Sequence, residues 1–444
     1  MYVFIENMTR LTHIFILLGL LFAFKASAQE TVDSAYMAQL DSLLTIAEEE
    51  KKQEEAKKVI EDFENLMLKK EMSFGTSGIA PMFRGGMLMW TDHNFYKQPA
   101  KFETTKNSYR WTDYAIGGLP LLTNWTLKAA GVKSRSKLER MLTANALAFS
   151  MSFGLTELLK TQVNETRPDR TDNKSFSSCH AAFAFTSASI LSREYGHLSP
   201  WVTIGSYTTA SATQMLRIKH NKHWTSDIFM GAGIGLTSTN LAYFLTDKIL
   251  GKDAINKPKV TMSDMQRMVK FNTMPSGFTF LTGTEIGDRS IEMEDGIRIK
   301  TGAAFTAGFD IDCYTSDVFA IEFMARTTEA QMKVFGSPNL FTGDNLSIYH
   351  ADLAAKYCYP INPGMRLGFK LLAGSRINNG INLTDGTKTY SLKGGGRFEF
   401  GSGMSVEYIQ TENYIMGFNF DYYHTCNTFM KNRYSISSVY KVLF

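Results

Sequence analysis

The middle of the chain, from about residue 111 to residue 250, has the periodicity of packed helices. Apolar residues recur there every three or four positions among Ala, Ser, Thr and Gly, and charges are sparse. The pattern predicts helices near residues 113–130, 138–162, 181–195, 200–217 and 226–249. We therefore predict an all-α helical bundle over residues 111–252.

The uncharged run from Leu198 to Leu216 approaches the length of a membrane span, but it contains many Ser and Thr. Glu157 also interrupts the second predicted helix. These features favour a compact bundle in the periplasm, and a membrane-embedded bundle is the alternative.

Beyond residue 257 the helical period gives way to the strict alternation of β-strands. Phe305, Phe309 and Ile311, for example, alternate with Asp310 and Asp312. One apolar face and one face of Arg, Lys, Asp and Gly is typical of an outer-membrane barrel with a polar lumen. We predict an antiparallel β-barrel of about eight strands over residues 260–444. A soluble β-sandwich produces the same alternation and is the alternative.

The final segment, Tyr440-Lys-Val-Leu-Phe444, resembles the closing strand of bacterial outer-membrane barrels. The first 28 residues resemble a secretory signal peptide, since an apolar run from Ile14 to Phe24 precedes the small residues Ala26-Ser27-Ala28. We predict a charged helical segment over residues 29–75 and a linker over residues 76–110. The fold class is thus multidomain α + β, with a helical bundle followed by a barrel.

Composition narrows the classes of function. The 444 residues are 44% hydrophobic and 20% charged, which excludes a disordered chain. A formal net charge of +4 gives no electrostatic support for nucleic-acid binding. The four cysteines contain no C-x-x-C pair, so neither a disulfide scaffold nor a structural zinc site is expected. Cys358 and Cys426 form a disulfide only if the fold brings them together.

Three blocks in the helical region carry the residue types that phosphate chemistry needs. The first has Lys160 and, after six residues, Arg167-Pro168. The second is the polar turn Phe176-Ser-Ser-Cys-His180, which leads directly into an apolar helix and directs backbone N–H groups at an anion. The third has Arg217, then His223 after five residues, then Asp227 after three more.

Each block alone has a simpler explanation. Lys160 and Arg167 could be solvated charges at a helix end, His180 could be a buried structural histidine, and Asp227 could be a helix N-cap. All three blocks in this order and at these spacings are much less probable by chance than any one block alone. It resembles the type 2 phosphatidic acid phosphatase superfamily, whose pattern is K-x6-R-P, then P-S-G-H, then S-R-x5-H-x3-D. The resemblance covers roughly residues 111–250.

The resemblance implies a role for each of these residues. His223 would be the nucleophile that forms a phosphohistidine, Asp227 would hold the other ring N–H, and His180 would protonate the leaving oxygen. The phosphate oxygens would be bound by side chains and amides from all three blocks, namely Lys160, Arg167, Ser178, Cys179 and Arg217. Fixed cations can neutralise a phosphoryl group without a metal, so neither a metal nor another cofactor is expected.

The chain departs from the family pattern at three positions. Ser177 replaces the Pro, Cys179 replaces the Gly, and Leu216 replaces the Ser before the Arg. If the turn requires positive φ at Cys179, the anion cradle is weakened. Cys179 could instead be a thiol nucleophile at a helix N-terminus, but that role would leave His223 and Asp227 without a purpose.

The sequence therefore predicts a metal-independent phosphatase that acts on a phosphomonoester or a diphosphate. Outer-membrane lipid is expected around the barrel, and no nucleic acid is expected as a partner. A membrane location favours a phosphorylated lipid as the substrate, such as lipid A, an isoprenyl diphosphate or phosphatidate. The predicted location is the bacterial outer membrane, with the phosphatase domain facing the periplasm. The alternatives are a vanadate-dependent haloperoxidase and a catalytically inactive binding or structural barrel.

Overall fold

The structure of the protein is a computed structural model. It describes residues 77–95, 101–102, 110–169, 171–256 and 277–443, with short gaps in the last range, and scattered residues between 60 and 75. The predicted signal peptide and much of the predicted charged segment lie outside the described residues.

The described part of the helical half contains six α-helices. In chain order they are α1 Ile79–Phe95, α2 Arg110–Ala129, α3 Leu138–Val163, α4 Cys179–Tyr195, α5 Pro200–Lys219 and α6 Thr225–Leu250. Helices α2 to α6 confirm the predicted bundle. Helix α1 was not predicted, and it corrects the linker assigned to residues 76–110. The sequence of α1 includes Pro81 and the pair Gly85-Gly86, which are weak helix formers, and its packing on α6 compensates for them.

Helix α6 is the centre of the bundle and packs against α1, α3 and α4. Gly235 allows close approach to α4, because a Cβ atom there would lie 2.5 Å from the carbonyl oxygen of Ala182. Arg140 of α3 forms a buried bidentate pair with Asp247 of α6, with Nε–Oδ1 at 2.6 Å and Nη2–Oδ2 at 3.0 Å. Helix α6 is also the one described helix long and apolar enough to cross a membrane, although 78% of its apolar window is buried within the protein.

The second half is a closed antiparallel barrel of eight strands, which confirms the predicted barrel and excludes the sandwich. With the short outer strand β1 (Lys101–Phe102) counted first, the barrel strands are β2 Gly277–Gly287, β5 Ala304–Tyr314, β6 Phe319–Ala330, β9 Leu346–Asn362, β10 Met365–Asn378, β13 Gly395–Thr411, β14 Tyr414–Thr425 and β15 Asn432–Leu443. Each barrel strand pairs with the next one along the chain, and β15 closes on β2.

Alternation along these strands separates a charged lumen from an apolar exterior. In the lumen Lys356 contacts Glu322 at 2.8 Å and Glu407 at 2.6 Å, and Arg326 contacts Asp421 at 2.9 Å. Aliphatic and aromatic side chains such as Phe323, Leu353, Leu371 and Phe400 are exposed on the outside. All four cysteines are free, so Cys358 and Cys426 do not pair.

The two ends of the barrel differ. At one end the strands are joined by the short segments 315–318, 363–364 and 412–413. At the other end the long segments 288–303, 331–345 and 379–394 carry six short strands, namely β3 Ile291–Glu292, β4 Arg298–Thr301, β7 Met332–Phe335, β8 Phe341–Thr342, β11 Ile381–Thr384 and β12 Thr389–Leu392. An apolar core that includes Ile299, Met332 and Leu383 holds these three long segments together. We call this end of the barrel the long-loop end.

The helical bundle lies against the outer wall of the barrel, over strands β15, β2 and β5. Three aromatic pairs form this contact, with ring centroids at 5.2 Å for Trp201 and Phe278, 5.6 Å for Tyr207 and Tyr440, and 5.7 Å for Phe229 and Phe305. Arg84 of α1 is buried in the same contact and donates to Ser438 Oγ at 3.3 Å.

Candidate active site

The predicted site residues come from helix termini that meet at one end of the bundle. His180 lies in the first turn of α4 and Asp227 in the first turn of α6, while Lys160 and Arg217 lie in the last turns of α3 and α5. Arg167 comes from the loop between α3 and α4, and His223 comes from the turn between α5 and α6. Alternating helix direction therefore brings three separate sequence blocks into one region.

His223 is fully buried, and its surroundings determine its tautomer. Its Nδ1 lies 2.9 Å from the carbonyl oxygen of Ser175 and 3.4 Å from Oδ2 of Asp227. A carbonyl oxygen only accepts, so Nδ1 carries the proton and Nε2 carries the lone pair. Nη1 of Arg167 lies 3.4 Å from that Nε2. The ring nitrogen that carries the lone pair thus faces a guanidinium group.

Asp227 does more than orient the histidine. Its Oδ2 accepts from Ser175 Oγ at 2.5 Å and from the backbone N–H of Trp224 at 2.9 Å, which caps α6. The backbone carbonyl of Asp227 also accepts from the N–H of Ser178 at 3.1 Å. This carboxylate therefore connects the turn before α4, the turn before α6 and His223. Sequence reasoning placed Asp227 alone on the ring N–H, whereas the carbonyl of Ser175 is the closer acceptor.

His180 is 8% exposed, and its ring lies 3.9 Å from that of Tyr114, centroid to centroid. Its Nε2 is buried and has no hydrogen-bond partner among the described residues. The pKa of His180 is lowered to about 3, mainly by burial and secondly by the positive charge of Arg217. A buried nitrogen without a partner is costly unless a ligand or water satisfies it.

The cations are held by different partners. Nη1 of Arg217 donates to Oδ2 of Asp113 at 2.6 Å, and its Nε is buried without a partner among the described residues. Nε of Arg167 donates to Oδ1 of Asp172 at 2.7 Å. Burial lowers the pKa of Lys160, as does the neighbouring charge of Arg167. The cations are therefore close enough to repel one another, which favours binding of an anion between them.

The turn before α4 has the form of an anion cradle. Ser178 is the N-cap of α4, with extended backbone, and its Oγ accepts from the N–H of Ala181 at 3.4 Å. Cys179 is the first residue of the helix and does not have positive φ, so its substitution for the family's glycine requires no left-handed conformation. Burial raises the pKa of the Cys179 thiol, which disfavours a thiolate nucleophile.

Electrostatics keep His223 neutral. The pKa of His223 is lowered well below 6.5, mainly by burial and then by the charges of Arg217, Arg167 and Lys160. Burial raises the pKa of Asp227 to about 7, against the opposing effect of its hydrogen bond from Ser175. A neutral imidazole with its lone pair on Nε2 is the form that attacks phosphorus.

Three residues that contact the predicted site residues were not identified from the sequence. Ser175 contacts both His223 and Asp227, Asp113 holds Arg217, and Tyr114 packs on His180. Ser175 lies just outside the family motif, and Asp113 and Tyr114 lie in a different helix. Only their proximity in the fold relates them to the site.

Among the described residues, the group with metal-ligand geometry lies in the barrel lumen and not in this site. Ligand atoms of His350, Asp352 and Glu399 lie within 4.8 Å of one another. Arg433 already contacts both His350 and Glu399 there, so a guanidinium supplies the positive charge that a metal would bring.

Comparison with known proteins assigns the helical region. Residues 141–249 match the sequence model of the PAP2 superfamily, in agreement with the resemblance noted in the sequence. Over 132 residues the chain is 37% identical to lipid A 1-phosphatase from Porphyromonas gingivalis. This match covers 30% of the present chain and 30% of that relative.

The barrel half matches solved outer-membrane proteins in structural searches. Neisserial surface protein A is 11% identical, with a TM-score of 0.27, and the match covers 38% of this chain and 97% of that one. OprG from Pseudomonas aeruginosa is 10% identical, with a TM-score of 0.27, and the match covers 39% of this chain and 95% of that one.

Proposed function

We propose that this protein is a phosphatase that hydrolyses a phosphomonoester or diphosphate of a lipid through a phosphohistidine intermediate, in the bacterial outer membrane. The PAP2 superfamily domain and the match to a lipid A 1-phosphatase support the reaction class. The barrel, with its charged lumen and apolar exterior, supports the membrane. The anion is held by side chains, and no metal is needed.

One observation carries the proposal. Cations and unpartnered buried polar groups lie near His223, since Arg217, Arg167, Lys160 and His180 all act electrostatically on its ring. Arg167 lies next to Nε2 of His223, and Nε of Arg217 and Nε2 of His180 are buried without partners among the described residues. A phosphoryl group carries negative oxygens that accept from such donors. The site is therefore complementary to a tetrahedral oxyanion placed against His223.

The geometry supports a two-step reaction. Nε2 of His223 attacks phosphorus, a P–N bond forms, and the P–O bond to the leaving group breaks. The leaving oxygen takes a proton delivered through Nε2 of His180. Water then gives a proton back to His180 and attacks the phosphohistidine, which releases inorganic phosphate and restores the neutral ring of His223. Arg167, Arg217 and Lys160 neutralise charge on the nonbridging oxygens throughout.

The lipid is proposed from the location of the barrel and from the similarity to a lipid A 1-phosphatase. Lipid A is the first candidate, and an isoprenyl diphosphate and phosphatidate are the others. All three present a phosphate at a membrane surface, so one panel of substrates distinguishes them.

The test uses purified full-length protein and its His223→Ala variant, assayed for phosphate release from lipid A, an isoprenyl diphosphate, phosphatidate and a soluble alkyl phosphate. We expect the variant to lose at least about 1000-fold in kcat, because removal of the nucleophile abolishes the covalent route. His197→Ala is the matched control, since this exposed histidine lies between α4 and α5, away from the site.

Three outcomes would contradict the proposal. Full phosphate release by His223→Ala excludes that nucleophile. Loss of activity of the wild-type protein in a chelator excludes a metal-independent site. Halide oxidation with vanadate, without any phosphate release, identifies a haloperoxidase.

A further inference from the structure

The position of the bundle beside the barrel determines which membrane layer the bundle occupies. Phe305 lies opposite Thr284 of β2 on the outer wall, and Phe278 lies six residues from Thr284, a distance of about 20 Å along the strand. A strand tilt of about 40° reduces this distance to about 15 Å along the membrane normal. The bundle contacts the wall at both points, through Phe229 and Trp201. The lipid-facing band of a barrel is about 25 Å tall. A domain that contacts more than half of that height must share the bilayer with the barrel.

The exposure of outward-facing residues differs between the two sides of the barrel. Outward-facing Phe280 is 3% exposed and Phe305 is 0% exposed where the bundle covers the barrel. Outward-facing Leu371 and Phe398 on the uncovered side are 71% and 63% exposed. The bundle therefore occupies a sector of the wall that lipid covers elsewhere.

The helices carry a matching apolar belt. All charged residues of helices α2 to α6 lie near the helix ends and leave charge-free spans of roughly 20 to 30 Å, namely residues 114–127, 141–156, 181–192, 200–216 and 228–246. Large apolar side chains within these spans face outward on α2 and α3, each at least 40% exposed: Leu119, Leu122, Leu142, Phe153 and Leu155. In water such a surface is unfavourable, and in lipid it is the expected one.

The catalytic end of the bundle coincides with the long-loop end of the barrel. Nε2 of Gln331 donates to the carbonyl oxygen of His223 at 3.0 Å, and Nδ2 of Asn345 donates to that of Ile218 at 2.9 Å. Oγ1 of Thr225 donates to the carbonyl oxygen of Ala303 at 2.9 Å. All three barrel residues belong to long loops. In outer-membrane barrels long loops face the cell exterior and short turns face the periplasm.

An exposed aromatic strip leads from the site into the apolar belt. Tyr114 stacks on His180 and lies 6.2 Å from Phe183, which lies 5.6 Å from Phe149 and 6.3 Å from Phe153. The strip passes between α2 and α3 at the surface. It is suited to an acyl chain whose headgroup lies at His180.

We propose that the helical domain is immersed in the outer membrane beside the barrel, with its catalytic pocket at the cell-surface face, where it takes phosphorylated lipid directly from the outer leaflet. The catalytic groups lie outside the charge-free spans, at the outer edge of the belt. This placement replaces the periplasmic orientation predicted from the sequence. The choice of substrate rests on the proposed phosphatase function, whereas the placement does not.

The test is thiol labelling of the full chain in intact cells with a membrane-impermeant maleimide. In a background with Cys313→Ser and Cys426→Ser, three exposed positions are compared: Thr171→Cys at the catalytic end, Asp253→Cys at the opposite end, and Leu142→Cys in the belt. We expect labelling of the first in intact cells, of the second only after the outer membrane is permeabilised, and of the third only after detergent solubilisation. The background chain sets the baseline.

Each other pattern overturns the proposal. Labelling of Asp253→Cys and not Thr171→Cys in intact cells reverses the orientation. Labelling of Leu142→Cys before detergent removes the helices from the bilayer. These outcomes are independent of catalysis, so a chain without phosphatase activity still tests the placement.

The aromatic strip has a separate test. Phe153→Ser should lower kcat/KM for a long-chain lipid phosphate by about tenfold and leave that for a soluble alkyl phosphate unchanged. Leu122→Ser, a comparable exposed change on α2 outside the strip, is the control. An equal effect of Phe153→Ser on both substrates, or an effect on neither, excludes the strip as the chain-binding surface.

Discussion

Ser175 shows how a residue outside the motif can govern the nucleophile. Its carbonyl oxygen accepts from Nδ1 of His223, and its hydroxyl donates to the carboxylate of Asp227. The carbonyl belongs to the backbone and survives substitution, whereas the hydroxyl does not. The two contributions can therefore be separated by mutation.

We expect Ser175→Ala to lower kcat by about tenfold, and Asp227→Asn to lower it by about 100-fold. Loss of the hydroxyl leaves a buried carboxylate with one donor fewer, which raises the pKa of Asp227 further. Phosphate-release kinetics over a range of pH measure both effects. A merely structural role for Ser175 would lower the amount of folded protein without changing the pH profile. Ser175→Thr, which retains the hydroxyl, should restore most of the activity.

The pH dependence follows from His180. Its pKa of about 3 leaves the ring neutral in the empty site at all physiological pH values. The proton for the leaving group must then arrive with the monoanion of the substrate, whose second pKa is about 6. We expect kcat/KM for a soluble alkyl phosphate to fall about tenfold per pH unit above pH 6. A kcat/KM that rises between about pH 6 and 8 would exclude this route.

At the scale of elements, the contact between α4 and α6 fixes the distance between the anion cradle and Asp227. A Cβ atom on Gly231 would lie 2.4 Å from the carbonyl oxygen of Ser178, and one on Gly235 would lie 2.5 Å from that of Ala182. The carbonyl oxygens are backbone atoms and cannot move without shifting the whole helix. Close packing of these two helices is therefore part of the site.

Gly235→Ala should destabilise the helical domain by about 1–3 kcal/mol, because the added methyl group overpacks the contact. Gly154→Ala on α3 is the matched control, since a Cβ atom there meets nothing within 4 Å. This second change should be neutral, or stabilising by up to about 1 kcal/mol, through higher helix propensity. Thermal unfolding of both variants in one detergent measures the difference. Equal melting temperatures would show that α4 and α6 are not closely packed.

At the scale of the whole molecule, the barrel holds the turn that contains His223. Gln331 donates to the backbone carbonyl of His223, in the turn between α5 and α6, and Asn345 donates to that of Ile218, in the last turn of α5. The long-loop end thus holds the turn that carries His223. Loss of this support should change catalysis without unfolding either domain.

The double variant Gln331→Ala/Asn345→Ala should lower kcat by about tenfold and leave KM little changed, because the nucleophile is less well positioned while the cations stay in place. Ser391→Ala, in the same set of loops but remote from the turn, should have no effect. Steady-state kinetics test both variants, with equal amounts of membrane-inserted protein in each assay. An unchanged kcat in the double variant would show that the barrel is only an anchor.

The sequence by itself determined where apolar residues follow a helical period and where they follow a strand period. It also determined the order of the domains and the identity of the motif residues. Helical and strand periodicity arise from which face of an element is buried, and this information is local, so the helices from residue 110 to 250 and the barrel strands were predictable. The three blocks were recognisable because phosphate chemistry requires particular residue types at particular spacings.

Only the tertiary structure decided how these parts meet. Helix α1 fell in a predicted linker because it depends on contacts with α6 and not on its own propensity. Ser175, Asp113 and Tyr114 joined the site through proximity between distant segments. The position of the bundle against the barrel wall likewise depends on aromatic pairs such as Tyr207 and Tyr440, whose partners lie more than 200 residues apart. Such pairings are properties of two surfaces at once, so no local pattern in the chain encodes them.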